Sequence, residues 1–270
     1  MHAFCHRWGP WRCAGSISVI TRITIENFKS LKSIDLNLKG LNLFIGTNAS
    51  GKSNFFDALR VLQGIGYGFT IHEILDGKPK SASREVWDAI RGGSQKALWA
   101  GATPGTSILF RVEGVLDNIY EFEYEVGFDP MSGRIRLEKL NLAGKTLYES
   151  LPLVDSDIHP TLTIKLMQGS RGRRPHLDFE RTRPVLAQLA RAESTTAKDV
   201  SDLFANMQRI DPVPSLLRGY SQAHEISRMG ERGENFAALV RTICKDSKKK
   251  SAFLSWLQEL RPTVSRPEKS

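Results

Sequence analysis

Gly46, four further residues and then Gly51-Lys52-Ser53 give the spacing G-x-x-x-x-G-K-S, and each fixed position has a chemical reason. Glycine at both ends lets the backbone bend where a Cβ would clash. The N–H groups from Asn48 to Ser53 can then turn inward as a nest for an anion. A helix starting here adds its unpaired donors and the positive end of its dipole. The Lys52 ammonium suits the β- and γ-phosphates of a nucleoside triphosphate, and the Ser53 hydroxyl suits a Mg2+ ion bound with them. Thr47, Ala49 and Ser50 fill the rest of the loop. The pattern predicts ATP and Mg2+ as ligands, with Lys52 as the catalytic cation.

Such a loop needs a strand before it and a helix after it. The apolar run Leu43-Phe44-Ile45 predicts a buried strand over Leu41–Ile45. Phe55, Ala58, Leu59 and Leu62 share one face of a helix that runs from Ser53 to about Gln63-Gly64. Upstream, Ile20–Glu26 reads as a strand, and Ile34, Leu36 and Leu38 alternate as a second. Residues 64–105 carry eight glycines and read as an irregular insertion, with one short helix around Arg84–Ile90. Arg91-Gly92-Gly93 reads first as a plain loop and second as one that approaches a phosphate or a partner backbone.

Residues 107–168 change to strand patterning. Tyr120, Phe122, Tyr124, Val126 and Phe128 alternate with Glu121, Glu123 and Glu125, between turns at Asp117-Asn118 and Asp129–Gly133. Ile108-Leu109-Phe110, Ile135 with Leu137, and Leu162 with Ile164 and Leu166 add further strands, predicting an antiparallel sheet with one wet face. The three glutamates share the solvent side of one strand, which explains their spacing without a metal or catalytic role. From Ala197 the spacing turns helical. Val200, Leu203, Phe204 and Met207 form one stripe, Phe236, Leu239, Val240 and Ile243 another, and Phe253, Trp256, Leu257 and Leu260 a third. All three are expected to be core faces.

The net charge of +9 favours an anionic partner, and Arg171, Arg173, Arg174, Arg181, Arg183 and Arg191 concentrate it in one segment that could contact DNA phosphates. No apolar run is long enough to span a bilayer. Cys5, Cys13 and Cys244 are too scattered for a disulfide framework, which fits a cytoplasmic setting, and C-x7-C is not a zinc spacing.

Ile23–Ser30 (ITIENFKS) followed by Leu41–Asn54 (LNLFIGTNASGKSN) resembles the opening of RecF/SMC-type, ABC-like ATPases, and more narrowly bacterial AAA family ATPases related to RecF and OLD proteins. The strand end before Ser30, Asn48 within the loop and Asn54 after it carry the likeness beyond the bare motif. The resemblance implies that the Asn27–Ser30 turn, with Asn27, Lys29 and Ser30, lies near the adenine. It also implies that Asn48 and Asn54 belong to the nucleotide site. Roles in DNA repair, chromosome maintenance or phage defence are implied in the same way.

That family also uses an apolar strand ending in Asp-Glu and a Ser-Gly signature loop. Leu151–Asp155 is the nearest acidic run, but Pro152 interrupts it and no glutamate follows Asp155. Arg91–Gln95 resembles a signature loop only superficially. The expected fold is therefore α/β: the N-terminal lobe of an ABC/RecF-like P-loop NTPase, with an antiparallel β subdomain, a helical C-terminal part and the C-terminal lobe missing. Its expected divisions are 1–18 as an extension outside the fold, 19–168 as the P-loop lobe, 169–197 as a basic connector and 198–270 as a helical segment. A homodimer or a second chain would supply the missing lobe, and hydrolysis by this chain alone is not expected. The contrasting expectations are a DNA- or partner-binding module with a relic loop, or a degenerate gene product.

Overall fold

The computed structural model describes residues 18–47, 50–78, 87–103, 105–151, 160–166, 176–192, 194–219, 226 and 228–259. By their contacts the described residues divide into two units, 18–207 and 208–259.

The first unit is built on one eight-stranded sheet in which every pairing is antiparallel. The strands are β1 (Val19–Phe28), β2 (Leu31–Asn37), β3 (Ile108–Leu116), β4 (Tyr120–Asp129), β5 (Arg134–Leu142), β6 (Lys145–Ser150), β7 (Thr161–Leu166) and β8 (His176–Glu180), in the order β2-β1-β3-β4-β5-β6-β7-β8. The alternation drives the packing: Phe122, Tyr124, Val126 and Phe128 of β4 are buried beside Ile108, Phe110 and Val112 of β3. The opposite face carries ion pairs. Arg111 of β3 binds Glu125 at 2.9 Å and approaches Glu123 at 3.6 Å. Asp117 and Asn118 both take positive φ, giving the tight turn that joins β3 to β4.

The inward face is covered by α1 (Lys52–Tyr67), α3 (Val185–Arg191) and α4 (Thr195–Ala205). Phe55, Ala58 and Leu62 are buried as their spacing requires, joined by Val61 and Ile65. α1 runs three residues past the predicted stop at Gly64 and ends at Gly68, whose φ of 73° supplies the left-handed cap. Its internal glycines are there for close approach. A Cβ on Gly64 would lie 2.6 Å from Ile74, and one on Gly66 would lie 2.4 Å from the Ala205 nitrogen and 2.6 Å from the Ser201 oxygen. Backbone cannot yield as a side chain can, so Gly66→Ala is expected to cost about 2–3 kcal/mol through displacement of α4. A lowered urea midpoint with unchanged slope would show it, and an unshifted midpoint would disprove the contact.

Four expectations need correction. Leu41–Ile45 is not a strand: no neighbour lies alongside it among the described residues, and Leu41, Leu43 and Ile45 are 84%, 83% and 86% exposed. The chain leaves β2 through a turn in which the Asn42 amide bonds both polar groups of Lys39, and Phe44 alone anchors the segment, on the rings of Phe55 and Phe56. The described part of the helix expected at Arg84–Ile90 is not helical, because Trp87 bridges to Lys78 in extended pairing; 79–86 lie outside the described residues. A helix not anticipated, α2 (Ile71–Asp76), sits in the same insertion behind a capping box of Thr70 and Glu73. Leu137 is not on the inward face with Ile135, since a register shift opposite Gly127 and Phe128 turns it out and turns Glu138 in.

The arginine segment is also revised where it is described. Arg181 is buried, donating from Nε to the Ile135 carbonyl at 3.0 Å, and Arg183 donates to the Gly68 carbonyl and pairs with Glu180. Arg181 is thereby used inside the fold, and Arg183 is held by contacts within the chain. Arg191 is exposed, while Arg171, Arg173 and Arg174 lie outside the described residues.

The second unit contains α5 (Pro214–Leu217), α6 (Phe236–Lys245) and α7 (Ser247–Glu259). The Asp246 carboxylate caps α7 by accepting from the Lys248 and Lys249 nitrogens at 2.9 and 3.1 Å. Leu257, expected on a core face, is 44% exposed. Cys244 is half-buried and forms no disulfide; Cys5 and Cys13 lie outside the described residues.

Candidate functional site

The loop meets α1 at Gly51, which holds φ at 90°, a conformation that strains any residue with a Cβ. A Cβ on Gly46 would lie 2.8 Å from the Ser50 hydroxyl and 3.6 Å from the Lys52 ammonium. Both glycines therefore allow the loop to close tightly. Lys52 Nζ donates to the carbonyls of Gly46 and Thr47 at 2.6 and 2.7 Å and to Ser50 Oγ at 3.2 Å. The cation thus sits within the loop. Among the described residues no side chain caps the first turn of α1, so its leading N–H groups and dipole remain for an anion. Ser53 is exposed on that turn. Asn48 and Ala49 lie outside the described residues.

The turn from β1 to β2 packs against the same helix end. Ser30 Oγ accepts from Asn54 Nδ2 at 2.6 Å and lies 3.8 Å from where a Gly51 Cβ would be. Lys29 is placed differently: its side chain is 7% exposed, and its ammonium pairs with Asp57 at 2.5 Å and donates to the Arg91 carbonyl at 2.8 Å. Asn27 turns its amide to the Ser107 carbonyl at 3.2 Å. Asn27 and Lys29 hold φ at 60° and 51°. Ser30 and Asn54 therefore join the loop, whereas Lys29 and Asn27 brace it.

Two further residues complete this cluster: Asp57, which no motif singles out, and Arg91, from the loop read as either plain or able to approach a phosphate. Asp57 lies one turn along α1 from Asn54, and its 11% exposed carboxylate meets Lys29 and, at 3.6 Å, Arg91. Arg91 comes from the insertion and also reaches Asn54 Oδ1 at 3.4 Å. Asp57 is legible only as a charge beside the apolar face of α1, whereas the two glycines after Arg91 already mark its loop as able to approach a phosphate. Among the described residues no cluster of His, Cys, Asp or Glu is arranged to hold a metal, and no helix is long and apolar enough to cross a membrane.

Residues 19–70, which span β1, β2, the loop and α1, match the model of the AAA ATPase domain family. Among individual proteins the likeness is to RecF. The DNA replication and repair protein RecF of Nitrosococcus oceani is 40% identical over 57 residues, 21% of this chain and 15% of that protein. RecF of Glaesserella parasuis is 43% identical over 54 residues, 20% of this chain and 15% of that protein. The matches thus span about a seventh of the relatives' length. A structure of the recombination mediator RecF with ATP aligns over 48% of this chain and 28% of its own, with 21% identity and a TM-score of 0.30. Over this N-terminal stretch the chain is similar to RecF and to the AAA ATPase domain family.

Proposed function

We propose that this chain is the ATP-binding part of a RecF-like ATPase that acts in DNA repair or maintenance. The observation that carries the reading is the loop itself: a left-handed Gly51 opens an uncapped 16-residue helix, with the Lys52 ammonium gathered against the loop carbonyls. The donor set fits a triphosphate. The backbone N–H groups of Gly51, Lys52 and Ser53 face the phosphates, Lys52 exchanges carbonyl oxygens for phosphate oxygens, and Asn54 and Ser30 border them. The Ser53 hydroxyl would hold a Mg2+ ion, which would supply charge neutralisation to the phosphate oxygens. Support for the DNA-linked role comes from the curated relatives, both described as DNA replication and repair proteins.

The exposed Leu41, Leu43 and Ile45 support a further part of the reading: an added strand, from a second copy or a second chain, covers them and completes the ATPase. Hydrolysis belongs to that completed assembly, because the carboxylate that would activate water has no counterpart in the described cluster; Asp57 is engaged by Lys29.

Titration calorimetry with Mg-ATP tests the assignment. Lys52→Ala is expected to weaken binding about 100-fold, the loss of a cation making several charge-assisted bonds. Equal affinity in the variant would refute it.

A further inference from the structure

Sequence patterning leaves Arg91-Gly92-Gly93 either a plain loop or one that approaches a phosphate, and in the structure its backbone is pinned on three sides. Trp87 Nε1 donates to the Ile74 carbonyl at 3.1 Å, under an Arg60 guanidinium that stacks on its ring and donates to the Asp88 carbonyl at 2.8 Å. Ile90 is buried and bonds the Leu75 carbonyl, and the Ser94 nitrogen donates to Asp76 at 2.7 Å. Beyond it, the Ala97 carbonyl accepts from the Lys29 nitrogen at 2.8 Å, and the Trp99 nitrogen donates to the Asn27 carbonyl at 2.9 Å. From this fixed frame the Arg91 side chain projects 66% exposed, with its guanidinium beside Asn54, the residue that follows Ser53.

The charges here do not balance. Lys29 already takes the Asp57 carboxylate at 2.5 Å, leaving Arg91 a second cation at 3.6 Å from the same group. A pair so long and so exposed contributes little to folding. A phosphate oxygen offers Arg91 a shorter, fully charge-assisted and bidentate bond. We propose that Arg91 is a further nucleotide-contacting residue, its guanidinium passing from Asn54 and Asp57 to the phosphate oxygens of a nucleotide held on the first turn of α1. This rests on the ATP-binding reading above. The insertion then has a role in the site, since it carries a second cationic side chain, after Lys52, to a position that the loop motif alone does not predict.

The test compares Mg-ATP affinity by calorimetry across wild type, Lys52→Ala, Arg91→Ala and Arg91→Lys, with a thermal melt of each. Arg91→Ala is expected to weaken binding about tenfold, the loss of one charge-assisted contact. Arg91→Lys recovers part of that, and both variants melt like wild type. If Lys52→Ala loses affinity while Arg91→Ala binds like wild type, the role of Arg91 is overturned and the ATP site stands. If Lys52→Ala itself binds like wild type, the ATP site falls and the inference falls with it.

Discussion

Glu138→Ala is expected to cost about 4 kcal/mol or more, because it would strand four buried donors at once. The carboxylate is fully buried on β5 and accepts from the Val185 and Leu186 nitrogens at 2.7 and 2.8 Å and from the Tyr124 and Tyr148 hydroxyls at 3.0 Å each. It thereby ties the start of α3 to the sheet. Burial dominates its titration and pushes the carboxyl from 4.5 to about 7, even though the two backbone N–H groups and two hydroxyls pull the other way. Burial, with Glu138 beside them, also drives both tyrosine hydroxyls well upward.

The sign of the pH effect follows. Between pH 4.5 and about 7 the folded chain keeps a proton that the unfolded chain has lost. The stability this group contributes is complete below 4.5 and is lost as pH rises through about 7. The difference is about 3 kcal/mol, at 1.36 kcal/mol for each step of pH. Asp129, Glu73 and Asp76 are held below the usual carboxylate range and slope the other way at lower pH, so the measurement is a difference between wild type and Glu138→Gln. Urea melts from pH 4.5 to 8 should show wild type losing its advantage over the glutamine variant. Parallel curves would show that Glu138 stays ionised throughout.

Asp57→Ala should be nearly as damaging, at about 3 kcal/mol, because it leaves the Lys29 ammonium without its carboxylate in a setting with little water. Lys29 also stands at φ 51°, beside Asn27 at 60°, so the ion pair helps to hold a turn that the backbone alone disfavours. The variant should therefore melt earlier and bind Mg-ATP less well, since Ser30 is carried by the same turn. A double-mutant cycle separates the pair from the strain. Lys29→Met combined with Asp57→Ala should be more stable than Asp57→Ala alone. Additive losses would show that the pair contributes nothing.

Local periodicity made α1 and β4 legible: Phe55, Ala58 and Leu62, and Phe122 through Phe128, are buried as their spacing requires. The motif likewise located the turn at Gly51 and the cation at Lys52. Long-range geometry set the rest. Leu41–Ile45 has the alternation of a strand, but pairing needs a neighbour and none is described. Glu138 became an inward group through one extra residue opposite Phe128, a shift no window of hydrophobicity registers. Thr70 and Glu73 did carry a readable capping box, obscured by the surrounding glycines. Asp57 and Arg91 meet across 34 positions of chain, and only folding brings them together.

The bare stripe at Leu41, Leu43 and Ile45 runs without interruption into Gly46, the first residue of the phosphate loop. Any strand that zips along those residues fixes the backbone entering the loop and removes freedom that a bound triphosphate would otherwise have to remove. Thermodynamic reciprocity then makes nucleotide a clasp for the neighbour and the neighbour a clasp for nucleotide, by the same factor in each direction.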